Sequence, residues 1–182
     1  MNTVQPIRDK ETIHDIADYL KSKSIRDFVM FMTGIYSGLR ISDVLKLRAR
    51  DVRNKKYIKI REEKTGKEKL FVINKKLKEI LDSYIESMKD YEYLFKNNRK
   101  GNKPISRQQA YNILSNAGKK FGLISIGTHT LRKTFGYHFY KQTKDAATLM
   151  KIFNHSSIEI TLRYIGIIQD TMDQLMGQLS FD

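Results

Sequence analysis

The 182-residue chain has no cysteine, so disulfides and thiolate metal sites are excluded and any metal site would need the four histidines. No apolar run approaches the roughly 20 residues of a membrane span. The N-terminal stretch MNTVQPIRDKETIHD lacks the apolar core of a secretion signal. Internal repeats, low-complexity segments and a convincing interdomain linker are also missing. What remains is the profile of a soluble, cytoplasmic protein without a membrane partner, long enough for one domain with its own core and too short for two. A single domain over residues 1–182 is therefore expected.

Positive charge is what the chain has in excess. Its formal net charge is +14, which attracts polyanions and makes nucleic acid the first partner to consider. The excess is local: residues 46–78 hold 14 Lys/Arg against four Asp/Glu. A second basic stretch, Lys96 to Arg107, has five basic residues and no acid. By contrast, Ile165 to Asp182 carries three acids and no base, which points that tail toward protein. Solvated surface lysines are the bland explanation for Lys55, Lys56, Lys75 and Lys76.

Periodicity places most of the chain in helices. Apolar residues recur at helical spacing over 12–36. After SGLR, Ser42 is the expected N-cap of the next helix, with Asp43 in its first turn. YIKIRE alternates, KLFVI follows, and the Gly-containing EKTGKE between them predicts a β-hairpin with Lys64 close to its turn. NKKLKEILDSYIESMK has apolar residues at 77, 80, 81, 84, 85 and 88, one stripe of a helix capped by Asn74. A further helix runs through Ala110, Ile113, Leu114, Ala117 and Phe121, with Gly122 in the left-handed position beyond its end. THTLRKTFGYHFYKQ is expected to enter a helix through Thr128 or Thr130. KDAATLMKIF is another, and Ser156 with Glu159 offers a capping box for the helix running to Tyr164. The fold class expected is α+β, mainly α-helical, with one small antiparallel sheet; NNRKGNKP reads as an exposed loop.

Taken singly, the candidate functional residues are weak. His129 and Arg132, three apart in HTLR, share a helix side, but such pairs arise by chance. Tyr164 is one of ten tyrosines, most of which belong in cores with the hydroxyl at the wet end. His14 and His138 are assigned to structure. The ordered set is more specific: SGLRISDVLKL, a hairpin lysine, HTLR, then NHSSIEITLRY. Over roughly residues 5–170 it resembles the catalytic domain of the tyrosine recombinases, or phage integrases. Their signature is Arg, hairpin Lys, His-x-x-Arg, His or Trp, and Tyr.

The resemblance implies a catalytic set of Arg40, Lys64, His129, Arg132, His155 and the nucleophile Tyr164, with Asp43 in a supporting acidic position. It implies a DNA recombinase fold and DNA cleavage and rejoining through a 3′-phosphotyrosyl intermediate, with no cofactor and no metal. Arg40 and Arg132 would clamp the phosphate with planar forks of donors. His129 would take the tyrosine proton, His155 would hydrogen-bond the phosphorane, and Lys64 would protonate the leaving 5′-oxygen. Lys46, Arg48, Arg50, Lys67, Arg107 and Lys133 are expected to contact DNA. Double-stranded DNA, further protomers forming a synaptic tetramer, and an accessory bending or directionality factor are the expected partners, with nucleoid association in a bacterial or phage setting. Residues 166–182 would be a tail packing on a neighbouring protomer.

Departures from the family pattern are Phe153 and Asn154 before His155, where LGH is common, and Lys133, where a second histidine often follows the central arginine. The N-terminal helical domain of typical members has no counterpart. Competing readings are a DNA-binding regulator on the same fold, a type IB topoisomerase, and a basic RNA-binding structural protein.

Overall fold

A computed structural model describes residues 4–61, 66, 68–99 and 101–181. Among these, ten helices surround one two-stranded sheet: α1 Lys10–Lys23, α2 Ile25–Ser37, α3 Ile41–Lys46, α4 Ala49–Val52, β1 Tyr57–Arg61, β2 Glu68–Val72, α5 Lys75–Ile85, α6 Arg107–Lys120, α7 Thr130–Thr143, α8 Ala146–Phe153, α9 Ile158–Tyr164 and α10 Ile167–Gly177. This is the mainly helical α+β architecture expected. The periodic region over 12–36 is broken at Ser24, whose extended backbone ends α1 and whose hydroxyl caps α2 by accepting from Asp27 N.

The β strands pair antiparallel from Tyr57↔Val72 to Arg61↔Glu68. Ile58 is buried at the base of the hairpin and Ile60 partly so, which gives the sheet one packed face. Lys64 and Lys67, expected near the hairpin turn, lie outside the described residues. The α5 stripe behaves as its spacing predicts: Asn74 accepts from Leu77 N, and Leu77, Leu81 and Ile85 are buried. Met88 falls just beyond the helix. Gly122 takes a left-handed φ of 73° past α6.

Three cap assignments are corrected. Helix α3 starts from Arg40 without a side-chain cap, so Ser42 lies inside it. Helix α7 starts from His129, while the Thr130 hydroxyl accepts from Gly127 N in the preceding turn. Helix α9 is capped by Ser157 through Ile160 N, one residue later than expected, because Ser156 stays in the connection.

Apolar burial falls into two clusters. The larger gathers α1 through α6 with Leu131. The smaller is built on Tyr137, Leu149, Phe153 and Ile165, with Phe135 and Tyr164 packed on its edge. Helix α7 belongs to both, and its glycine at 136 allows α8 and α9 to approach. A Cβ there would stand 2.7 Å from Ile165 Cγ2 and 2.7 Å from Phe153 Cε2.

Alanine at 136 gains roughly 1 kcal/mol of helix propensity, but overpacking a filled core costs about 1–3 kcal/mol. The expected net effect of Gly136→Ala is a loss of stability of up to about 2 kcal/mol, read as a lower urea midpoint. A raised midpoint would contradict this packing.

Candidate active site

The seam between the two clusters collects the charged and aromatic residues of interest. Arg132, two residues into α7, is 5% exposed. Its Nη1 donates to the Gly38 carbonyl at 2.6 Å and its Nη2 to the Phe153 carbonyl at 3.0 Å, with Cζ 4.2 Å from the Phe153 ring centre. Burial pushes its pKa down to about 10, against the favourable fields of Tyr164 and Asp43. It therefore stays cationic at neutral pH. Gly38 ends α2 in a left-handed conformation and lies directly against Phe135, which would collide with any Cβ there. That leads the chain straight to Arg40, exposed at the N-cap of α3, whose charge reaches His129, Arg132, His155 and Tyr164.

Tyr164 closes α9 with its ring packed edge-on against Phe153 at 5.6 Å and His155 at 5.1 Å. Its hydroxyl is 3.4 Å from His129 Nδ1, long for a hydrogen bond but within the slack of a site without substrate. Burial raises the phenol pKa, and the cations Arg132 and Arg40 oppose that rise. His129 is held below the ordinary imidazole value by partial burial and then by Lys133, Arg107, Arg132 and Arg40. It is thus neutral near pH 7, as a proton acceptor must be.

His155 follows Asn154, which ends α8 at φ 57° and ψ 45°. Asparagine is among the few residues other than glycine that take this conformation readily, so the departure from LGH preserves the turn. His155 Nδ1 lies 3.0 Å from the Thr161 hydroxyl, which itself donates to the Ser157 carbonyl. With its only proton engaged there, Thr161 accepts, so Nδ1 carries the hydrogen and Nε2 is free to face outward. Burial first, then Arg132 and Arg40, lower the pKa of this ring too.

Of the residues named from the sequence, Arg40, His129, Arg132, His155 and Tyr164 come together, with Asp43 close enough to act on Arg132. The expected DNA contacts divide. Lys46 at the end of α3 and Arg50 on α4 are exposed, and Arg107 is exposed at the start of α6, close enough to depress His129. Arg48 is half-buried, stacked on the Tyr93 ring at 4.4 Å and donating to its hydroxyl at 3.0 Å. Lys133 is corrected: it is 7% exposed, donates to the Val4 carbonyl at 2.7 Å and lies 4.9 Å from the Tyr164 ring centre. It faces the Tyr164 ring, not solvent. Sequence reading missed Phe153 and Thr161; the latter stands three residues before Tyr164 on α9, a helical spacing that signals a shared side. His138 is structural, as expected, with Nε2 donating to the Ile7 carbonyl at 2.9 Å. Among the described residues no group of acids and histidines could hold a metal ion, and no helix is long and apolar enough to cross a membrane.

The phage integrase family profile matches residues 8–169. The chain belongs to this family. It is 53% identical over 171 residues to the probable integrase/recombinase YoeC of Bacillus subtilis, covering 94% of each chain. It is 29% identical to tyrosine recombinase XerA of Pyrococcus horikoshii, covering 85% of this chain and 53% of that one, so it spans about half the length of that relative. Its fold is that of the tyrosine recombinase catalytic domains. A crystal structure of XerA recombinase superposes with a TM-score of 0.74 at 21% identity, covering 97% of this chain and 67% of that one. A lambda integrase dimer bound to a COC′ core site gives 0.68 at 18% identity, covering 90% and 59%.

Proposed function

We propose that this tyrosine recombinase cleaves and rejoins double-stranded DNA at a specific site through a covalent link between Tyr164 and a 3′-phosphate. The observation that carries the reading is the position of the Tyr164 hydroxyl, 3.4 Å from a ring nitrogen of a neutral-leaning His129 and within the fields of Arg132 and Arg40. A raised phenol pKa leaves the free enzyme's nucleophile protonated. Attack therefore needs the proton passed to His129 as the O–P bond forms.

The developing charge falls on the non-bridging oxygens, where Arg40 and Arg132 supply donors that remain cationic. Two of the donors on Arg132 are already committed to carbonyls, which fixes the plane of its remaining ones. His155 donates from Nε2 only when protonated, since Nδ1 is engaged with Thr161. An approaching phosphate favours that form by its charge. Lys64 is the proposed acid for the leaving 5′-oxygen. Religation reverses these steps with a 5′-hydroxyl from another strand, so bond energy is retained and no cofactor enters.

The exposed Lys46 and Arg50, in the basic stretch that follows Arg40 in the chain, suit the backbone flanking the scissile phosphate. Family relatives include a lambda integrase dimer bound to its core site, which supports assembly of several protomers on DNA. The tail fits such an assembly: Met172, Leu175, Met176, Leu179 and Phe181 are all exposed, and no residue of α10 is buried. We place this unsatisfied face against a neighbouring protomer. Residues 1–182 would thus form one catalytic unit, in which Asp170 ties the start of α10 to Arg8 of the same chain and the exposed face beyond it meets the neighbour.

Incubated with sheared DNA of its source organism and then denatured, the chain should retain fragments sharing one recurrent sequence, and the Tyr164→Phe chain none. DNA bound before denaturation with none retained afterwards would favour a regulator on the same fold. Truncation after Gly166 should reduce the oligomer size on DNA by sedimentation; unchanged size would place α10 on its own protomer.

A further inference from the structure

The N-terminal segment before α1 does more than lead into it. Gln5 N donates to the Ser125 carbonyl at 3.0 Å, and Ile7 N donates to the Thr134 hydroxyl at 2.9 Å. The Val4 carbonyl takes the Lys133 ammonium, and the Ile7 carbonyl takes His138. Arg8 then reaches Asp170 on α10. Its Nε lies 2.9 Å from both carboxylate oxygens of Asp170 and its Nη2 2.7 Å from Oδ1. The same Nη2 fills the space over Gly166, where a Cβ would stand 2.8 Å away and where φ is 84°. One residue, Ile165, separates Tyr164 from this pinned glycine.

A buried lysine is costly unless its ammonium is paired or hydrogen-bonded. The Lys133 ammonium donates to the Val4 carbonyl and rests on the face of the Tyr164 ring, the geometry of a cation–π contact. The N-terminal segment therefore holds the ammonium in place, and the ammonium in turn holds the ring. Arg8 restrains the backbone just beyond it.

We propose that the N-terminal segment Val4–Arg8 is the positioning element of the nucleophile, acting on the Tyr164 ring through Lys133 and on the backbone just beyond it through Arg8 and Asp170. This rests on Tyr164 being the nucleophile, and it assigns Lys133 and Arg8 as positioning residues. A cation fixed beside both Tyr164 and His129 keeps the imidazole unprotonated while the phenol stays aligned with it. The charged groups acting on His129 are Lys133 and Arg132 from α7, Arg107 from α6 and Arg40 from the α2–α3 junction, with the Tyr164 phenol opposite. Of these charges Lys133 acts most strongly on His129, second only to burial.

The test follows the His129 ring by NMR titration in the free chain, beside covalent DNA attachment by the full chain on its recurrent fragment. In Lys133→Met the His129 midpoint should rise by about half to one pH unit, and attachment should fall at least about tenfold. In Arg8→Met, a half-exposed change that leaves the core intact, attachment should fall about threefold or more with the His129 midpoint unmoved. Either readout unmoved in Lys133→Met overturns the proposal; should that chain not fold, undiminished attachment by Arg8→Met overturns it. If the unmodified chain attaches no DNA, the nucleophile assignment is at fault, and the titration by itself decides whether Lys133 acts on His129.

Discussion

One buried positive charge organises the site. The Arg132 guanidinium joins two carbonyls that belong to different parts of the molecule: Gly38 at the end of α2, on the larger apolar cluster, and Phe153 at the end of α8, in the smaller. Moving an unpaired guanidinium out of water is costly, and the two carbonyls with the Phe153 ring face offset that cost. The consequence is geometric. Arg40 follows Gly38 by two residues, His155 follows Phe153 by two, and His129 precedes Arg132 by three, so holding one side chain in place locates four functional groups together.

The same arrangement concentrates like charge. Arg40, Arg107, Arg132 and Lys133 all act on His129, and Arg40 and Arg132 also act on His155 and Tyr164. Like-charge crowding of this kind favours an anion in the site. It also sets the titratable groups apart. Burial and the cations lower both histidines, and burial raises the tyrosine, so at neutral pH the proposed base rests neutral and the proposed nucleophile protonated.

Much of this was legible in the chain because it depends on local spacing. The α5 stripe and its Asn74 cap follow from periodicity and one side-chain hydrogen bond, and the hairpin from alternation around a glycine. The joint order of Arg40, His129, Arg132, His155 and Tyr164 was legible only as a set, since no pair of them is rare. Three helix starts were misjudged because capping depends on backbone angles that neighbouring residues of similar type do not distinguish: Ser156 and Ser157 are chemically alike, and only one is extended at the helix entrance. Lys133 was misassigned for a different reason. Its charge suggested solvent or DNA, but its place on α7 turns it inward, where a carbonyl 129 residues earlier in the chain accepts its proton. No local pattern signals a partner that distant. Arg48 and Tyr93 form a similar long-range pair.

The most direct measurement of the central role of Arg132 is covalent DNA attachment by an Arg132→Lys chain, at a protein concentration where DNA binding is retained. Lysine keeps the charge but cannot span two carbonyls and still present a planar donor pair to a phosphate. The account predicts a loss of attachment of about a hundredfold or more with binding largely intact. Attachment at the level of the unmodified chain would contradict it, and would move the organising role from this buried fork to the exposed Arg40.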